Sequence, residues 1–351
     1  MIKKIYARNS ISQLLRLQSG FSLVELMVAI ALGIFLVLGV TNILFSGQQS
    51  FNATNRIARV QENGQLAKNM LIDDLKRARY MGANARLASL AGTAAAIDPA
   101  ATCNNDDNTW GRMIKQGVFG IDDNQIRDDG VTYECITRID DDDRGGYRPD
   151  TDILTVRYAA PWKSDVSDPN DPINDTSNAD RLYIRSALRA SWIFTGKDAN
   201  DMTLNSDETG LSGSGERIKS THELIAYSYY IGNSDRQCSG EVIPSLFRVS
   251  LGANGKPVTE ELIPGIEDFQ VQFSTDGTTY QDAHAITDWD AVVATQIWLL
   301  ARSECEEGGH NDSEPYRLAD EADYIPNNGN GDGYRRQLYS SIISHRNSVN
   351  Y

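Results

Sequence analysis

The sequence predicts an α+β fold, in which a long N-terminal helix, first transmembrane and then amphipathic, packs on an antiparallel β-rich head domain. An apolar run occupies residues 26–45, and a periodic apolar stripe continues to about residue 80. Short runs of alternating apolar and polar residues fill the chain from residue 83 onward. The chain has 351 residues, of which 40% are hydrophobic, so it is long enough to bury a core.

The apolar run at 26–45 is long enough to cross a membrane. A helix of this length spans about 30 Å of hydrocarbon, and Thr41 and Asn42 are the polar residues within it. The alternative is a signal peptide that is removed behind the apolar run, which requires a small-x-small cleavage site. The sequence "SGQQSFNATNR" that follows at 46–56 contains no convincing site of this kind.

Charge is unevenly distributed along the chain. The formal net charge is -15, whereas residues 1–20 contain Lys3, Lys4, Arg8 and Arg16 and no acidic residue. By the positive-inside rule the basic leader stays in the cytoplasm and the following chain is exported. The acidic remainder is a poor surface for phosphates, so we expect no contact with nucleic acid.

Glu25 is an ionisable residue at the edge of the apolar run. A carboxylate in hydrocarbon costs about 2.5–3.5 kcal/mol, and such residues usually have a function and a partner. Cleavage after Gly20 would create a partner, because the new α-amine of Phe21 carries a positive charge. Without such a partner, Glu25 would extend to the membrane interface and have no further role.

The stretch "GFSLVE" at 20–25, between a basic leader and an apolar helix, resembles the class III signal of type IV prepilins and pseudopilins. The resemblance implies that a membrane-embedded prepilin peptidase cuts after Gly20 and methylates the amine of Phe21. It also implies that Glu25 pairs with the terminal amine of a neighbouring subunit during assembly. Such a charge pair in low dielectric favours one register of packing.

The helix is expected to continue beyond the membrane as an amphipathic helix. Its apolar residues recur at steps of three and four with charged residues between them, and they are Ile57, Val60, Gly64, Ala67, Leu71, Leu75 and Ala78. Gly82 is the expected stop. No proline lies between residues 21 and 80, unlike in many major pilins. We therefore divide the chain into a leader at 1–20, a helix that is transmembrane at 21–45 and amphipathic at 46–81, and a head domain at 82–351.

The head is expected to consist of antiparallel strands packed on the amphipathic helix. The clearest strands are predicted at 130–139, 151–160, 223–232, 245–252, 265–274, 294–303 and 335–347. Two polar insertions, at 162–180 and 196–221, are too rich in Asp, Asn, Ser and Gly to pack, so we expect surface loops there.

The C-terminal part of the chain, roughly 245–347, resembles the PilW family of minor pilins. The sequence "SLFRV" is followed by "GIEDFQVQF", by a tryptophan-bearing strand ending in "LLARS", and by "YRRQLYSSIISHRN". Arg335, Arg336, Arg346 and Asn347 lie in the most distinctive piece. The resemblance implies a structural subunit at or near the pilus tip that helps to initiate pilus assembly and supports motility, adhesion or DNA uptake.

This resemblance also implies the partners and location of the protein. The partners are other minor pilins and the major pilin, the prepilin peptidase, the inner-membrane assembly platform and an adhesin at the tip. The precursor is expected to cross the bacterial inner membrane once, with its head in the periplasm, before it enters the pilus fibre at the cell surface.

Cysteine usage agrees with export to an oxidising compartment. Cys103, Cys135, Cys238 and Cys305 all lie beyond the apolar run, and we expect two disulfides. Three connectivities are possible, of which we favour the two sequential loops, each stabilising by about 3–4 kcal/mol. The alternative is four buried free thiols.

The sequence contains no pattern typical of an enzyme, and we expect no catalysis, cofactor or metal. The histidines are scattered and share no nucleophile or ligand spacing; they are His222, His284, His310 and His345. The stretch "NGNGDGY" at 328–334 resembles the first half of a calcium loop, but Tyr339 stands where an EF-hand requires glutamate. A looser calcium site there is the alternative to a turn, and the acidic run at 140–143 is expected to be a solvated loop.

Two other functions remain open. The first is a J-type minor pseudopilin of a type II secretion system, which has a similar plan; the polar insertions and the C-terminal sequence favour PilW. The second is a membrane-anchored enzyme or binding protein that keeps its leader.

Overall fold

The structure is a computed structural model that describes residues 20–82, 108–123, 136, 145–187, 191–199, 219–319 and 323–347. The chain divides into two compact units, Met1–Thr54 and Asn55–Tyr351. The strand expected at 130–139, apart from Ile136, and the acidic run at 140–143 lie outside the described residues, as do Cys103 and Cys135.

In the first unit the described residues belong mainly to the helix α1, Leu23–Arg77. The helix starts with a hydrogen bond of 3.1 Å from the Leu26 amide to the Ser22 carbonyl. Its N-terminal part is long and apolar enough to cross a membrane, and its large apolar side chains are exposed. The Thr41 hydroxyl donates to the Val37 carbonyl at 2.7 Å, so the polar side chain is satisfied within the helix.

In the second unit α1 buries the predicted stripe against the head. Val60, Ala67, Leu71 and Leu75 are buried, which confirms the helical periodicity, whereas Ile57 is 38% exposed at the edge of the contact. The stripe also includes a charged residue, Asp74, whose side chain is buried.

The helix ends earlier than the glycine at 82 suggested. Arg77 is its last residue, and Arg79 takes a left-handed conformation with φ of 66°, which is usual for the residue just past a helix C-terminus. Glycine is common at that position, but here the buried Arg79 guanidinium donates to the carbonyls of Trp289 and Asp290. These hydrogen bonds stabilise arginine at this position, whereas glycine has no side chain with which to form them.

The described residues of the head form two antiparallel sheets. Their strands are β1 Val118–Ile121, β2 Ile153–Ala159, β3 Leu182–Ala187, β4 Ser191–Thr195, β5 Lys219–Cys238, β6 Glu241–Leu251, β7 Pro257–Pro264, β8 Ile266–Ser274, β9 Ala294–Arg302 and β10 Arg336–Ser344. In the seven-stranded sheet the order is β1-β2-β5-β3-β4, with β6 also paired to β5 and β7 paired to β6. The three-stranded sheet has the order β10-β9-β8, and side chains from both sheets share one core with α1.

The α+β prediction is confirmed, and six of the seven predicted strands overlap observed ones. The four strands that sequence patterns did not predict are β1, β3, β4 and β7. β5 is also 20 residues long, because it pairs with β2 and β3 and then continues along β6 past an irregularity between Asn233 and Gln237.

The insertion at 162–180 is a loop, but the expectation that it is too polar to pack was wrong for Ile173. This residue is 2% exposed and packs with Tyr183 and Phe194. The Asp171 carboxylate accepts a hydrogen bond from the Ile173 amide at 3.0 Å, and Asp175 similarly accepts from Ser177. Aspartates therefore order this loop by capping short 3-10 turns around one apolar anchor. Of the second insertion, residues 196–199 and 219–221 are described, and 219–221 belong to β5.

Leu71 and Leu66 provide a matched test of the helix contact. Leu71 is fully buried, so Leu71→Ala should destabilise the head by about 2–5 kcal/mol through lost burial and a residual cavity. Leu66 is 55% exposed on the same helix, and Leu66→Ala should change stability by no more than about 0.5 kcal/mol. Denaturant unfolding of the full chain in detergent measures both; equal effects would contradict the assigned helix face.

Candidate functional site

The candidate processing site lies at the beginning of α1. Gly20 and Phe21 precede the helix, and Phe21 is 84% exposed. Glu25 lies in the first helical turn and is exposed. The predicted cleavage residue, the predicted new terminus and the predicted assembly carboxylate are therefore near one helix end. Unpaired amides at a helix N-terminus favour a nearby carboxylate, and a terminal amine on Phe21 would add a full positive charge.

Of the four cysteines, the described pair is joined. Cys238 and Cys305 form a disulfide with a Cα–Cα distance of 5.4 Å, and this pairing is one of the two sequential loops expected. Cys238 ends β5 and Cys305 follows β9, so the bond joins the seven-stranded sheet to the three-stranded sheet. Closing a loop of this size stabilises the fold by about 4 kcal/mol in the chain-entropy model.

A buried charge cluster surrounds Arg336 at the start of β10. The Arg336 side chain is 1% exposed and contacts Glu267 at 2.6 Å, Asp332 at 2.6 Å and Asp312 at 3.1 Å. Arg302 also contacts the Glu267 carboxylate, at 3.5 Å. The cluster joins β8, β9 and β10 to the segment between β9 and β10.

The suspected calcium loop contributes to this cluster. The Asp332 carboxylate accepts two hydrogen bonds from the Arg336 guanidinium, at 2.6 and 2.7 Å. A guanidinium at this distance repels a cation, so Asp332 is ill suited to be a calcium ligand. Among the described residues, no group of three or more His, Cys, Asp and Glu side chains could hold a metal ion.

The end of the chain contacts the end of α1. His345 Nδ1 lies 3.2 Å from the Leu75 carbonyl, and Asn347 donates to the Ala78 carbonyl at 3.1 Å. Carbonyls in the last turn of a helix have no partner within the helix, so these side chains cap it. No local sequence pattern predicts this contact of His345, because the helix end lies far from it in the sequence.

Asp74 is a further residue that the sequence analysis overlooked. Its carboxylate accepts hydrogen bonds from the Tyr158 hydroxyl, at 2.6 Å, and from the Tyr229 hydroxyl. Burial first, and then the Asp74 charge, raise the pKa of both tyrosines, so both hydroxyls stay protonated and donate. The position of this acid between Leu71 and Leu75 on the apolar face of the helix could have indicated a buried polar contact.

Comparisons with known protein families agree with both ends of the chain. Residues 228–347 match the family Type IV Pilus-assembly protein W, and residues 15–41 match the Prokaryotic N-terminal methylation motif. The two matches support a type IV minor pilin, most like PilW. Precursors of this family are anchored in the membrane, and the subunits interact with other pilins and with the assembly machinery.

Among solved structures, a type IV-like pilin from Thermus thermophilus matches with 13% sequence identity and a TM-score of 0.25. The match covers 57% of this chain and 80% of that chain. No curated protein matches the chain significantly.

The segment that matches PilW contains identifiable parts of the head. Residues 228–347 include the second half of β5 and all of β6 to β10. They also include the Cys238–Cys305 disulfide, the Arg336 cluster and the caps from His345 and Asn347. The matched segment therefore contains the three-stranded sheet and the groups that attach it to the rest of the head.

Arg336 and Arg335 test the charge cluster with adjacent residues. Arg336→Ala should destabilise the head by about 3–5 kcal/mol, because it leaves buried carboxylates without their cation. The Arg335 side chain is 29% exposed and pairs with Glu307, so Arg335→Ala should cost no more than about 1 kcal/mol. Thermal unfolding of the full chain measures the difference, and a mild effect of Arg336→Ala would refute the role of the cluster.

Proposed function

We propose that this protein is a structural minor pilin that helps to initiate type IV pilus assembly and occupies a position at or near the pilus tip. Its support of motility, adhesion or DNA uptake would follow from that position. The observation that carries the proposal is the exposed Gly20–Phe21 segment directly before α1, with Glu25 in the first turn, in a chain that matches PilW.

Processing at Gly20 is the first step of the proposed function. The prepilin peptidase would cut after Gly20 and methylate Phe21, while the head lies in the periplasm. Exposure of both residues outside the helix supports access by the peptidase, because a protease requires an extended backbone. The inner-membrane assembly platform would then receive the mature subunit.

Mass spectrometry of the N-terminus of the purified protein tests this processing. The mature chain should begin at N-methylated Phe21, and Gly20→Glu should leave full-length precursor in the membrane, because the peptidase would not accept the bulky acid. An intact Met1 in the wild-type protein would instead support a membrane-anchored protein that keeps its leader.

Assembly is the second step, and it would depend on Glu25. In a bundle of apolar helices the carboxylate would pair with the Phe21 amine of a neighbouring pilin, which neutralises both groups in low dielectric. The motif match at 15–41 and the position of Glu25 near the end of α1 support this pairing.

Glu25→Ala should therefore be processed normally but enter pili about tenfold less efficiently, the effect of losing about 1.4 kcal/mol. Glu62→Ala is the matched control, because Glu62 is an exposed acid on the same helix outside the apolar run. Immunoblots of sheared pili and of membranes measure incorporation and processing. Equal incorporation of the two variants would argue against the pairing.

The role in a pilus can be distinguished from a role in type II secretion. Deletion of the gene should abolish or reduce surface motility and piliation while protein secretion continues. The reverse result would assign the subunit to a secretion pseudopilus. Co-purification with other minor pilins would then identify the subunits that the head contacts.

A further inference from the structure

β10 forms one edge of the three-stranded sheet. The sheet has the order β10-β9-β8, so β9 lies on one side of β10, and no described strand lies on its other side. The register with β9 is unbroken from the pair Arg336 and Arg302 to the pair Ser344 and Ala294. An edge strand of this kind presents a row of backbone donors and acceptors that can bind another strand.

The hydrogen bonds to β9 show which residues of β10 face the free side. The Ser303 amide donates to the Arg335 carbonyl, and the His345 amide donates to the Val293 carbonyl, each at 2.8 Å. Both pairs continue the register, so the odd-numbered residues between them also bond with β9. The even-numbered residues direct their backbone groups to the free side, and they are Arg336, Leu338, Ser340, Ile342 and Ser344. On that side their backbone groups form no backbone hydrogen bond with another described residue.

α1 covers one face of β10 but leaves this edge open. The Tyr339 hydroxyl donates to the Gln61 carbonyl at 3.3 Å, and Ile343 is 3% exposed in the core. On the opposite face Ser340 is exposed and Ile342 is 57% exposed. An exposed isoleucine beside unpaired backbone groups offers an added strand an apolar contact as well as hydrogen bonds.

The edge strands β7 and β10 differ in the residues that hinder strand pairing. β7 begins at Pro257, ends at Pro264 and contains Glu260 and Glu261. Proline and charged residues are the usual protection of an exposed edge. β10 has the sequence "QLYSSIIS" at 337–344, which contains no charged residue, proline or glycine. The chain therefore protects one edge from strand pairing and leaves the other suited to it.

We propose that the free edge of β10 binds an extended strand of another pilin subunit, which adds a fourth strand to the three-stranded sheet. The partner segment would be uncharged over about five residues, to match 337–344, and would have an acidic residue where it passes Arg346. Arg346 is exposed directly after β10. This inference rests on the proposed function, because it takes the partner to be a pilin.

A second copy of this chain fits the edge less well. Tyr339 contacts α1 at Gln61, and His345 contacts it at Leu75, so β10 and α1 run in the same direction. Antiparallel pairing of two β10 strands would therefore set their helices antiparallel, whereas the proposed pairing of N-terminal charges requires parallel helices. In an in-register parallel pair, the two copies of Arg346 would lie side by side and repel each other.

Hydrogen exchange of the full chain in detergent micelles tests whether the edge is open. Mass spectrometry with fragmentation that resolves single amides gives each rate, corrected for intrinsic exchange. The amides of Leu338, Ser340 and Ile342 should exchange at least about tenfold faster than those of Tyr339 and Ser341, which face β9. Equal protection of the two sets would overturn the proposal, because the edge would already be occupied. This measurement does not depend on a role in pili.

Proline at position 340 tests strand addition itself. The full chain with an affinity tag is co-expressed with the other minor pilins of the same organism and purified in detergent. Ser340→Pro removes one amide on the free side and none that bonds with β9, so the amount of minor pilin recovered should fall about tenfold. Ser340→Ala keeps the amide and is the matched control, which should recover as much as the wild type does.

Ile342→Lys is a second variant that keeps every backbone group. Lysine on an edge strand opposes pairing, so recovery of the minor pilins should again fall. Because Ile342 is exposed, the head should still fold, and the experiment does not depend on the stability of the proline variant. Val258→Lys is the control on β7, where Val258 is 48% exposed, and it should leave recovery unchanged.

The outcomes separate the edge from the proposed function. Wild-type recovery of minor pilins that persists in Ser340→Pro and Ile342→Lys would overturn the role of the edge and leave the proposed function in place. If the wild type recovers no minor pilin, the pilin partner is wrong, and unchanged piliation after deletion of the gene would show that the proposed function fails as well. A dimer of the full chain alone that Ser340→Pro dissociates would assign the edge to a second copy and overturn the proposal.

Discussion

The burial of one stripe of α1 against both sheets is the contact on which the rest of the head depends. Leu71 and Leu75 are fully buried in the core that β2, β5, β8 and β9 share, so the helix acts as the common surface between the sheets. Asp74 adds a directional contact to this apolar one, since two tyrosine hydroxyls from β2 and β5 bind its carboxylate. Apolar burial supplies most of the stability, while a buried carboxylate with two fixed donors selects one rotation of the helix.

Sequence patterns predicted the helices and strands whose burial follows a short repeat along the chain. The helical stripe from Val60 to Ala78 and the strands β8 and β9 have the expected periodicities, because their burial repeats every few residues. β7 was not predicted. It is an edge strand with exposed Glu260 and a proline at each end. Such residues prevent an edge strand from pairing with another chain, but they also weaken the alternating pattern by which a strand is predicted. Gly82 was also wrong as the predicted end of the helix, because the contact that ends the helix is distant in sequence. Arg79 ends the helix through carbonyls of the segment before β9, which no local window contains.

The attachment of the C-terminal segment could not be predicted from the sequence for the same reason. Arg335 and Arg336 are identical neighbours in the sequence, yet one pairs at the surface and the other lies inside a cluster of three carboxylates. Consecutive residues of an extended chain alternate between its two sides, but which of the two is buried depends on β8 and on the segment that precedes β10. Cys305 lies at the beginning of the segment between β9 and β10 and is bonded to Cys238, so covalent and ionic contacts together hold this segment.

Acidic side chains in the head and in α1 differ in what surrounds them. Glu267 and Asp74 are buried, and each has donors or cations from its own chain within hydrogen-bonding distance. Glu25 is different, because among the described residues no cation pairs with it, although it lies at the edge of a run apolar enough to enter a membrane. A carboxylate in that position is costly unless a positive charge approaches from outside the helix. In the proposed assembly, the terminal amine of a neighbouring subunit would satisfy this requirement. That amine would become available only after cleavage at Gly20, so the same residue pattern would make assembly dependent on processing.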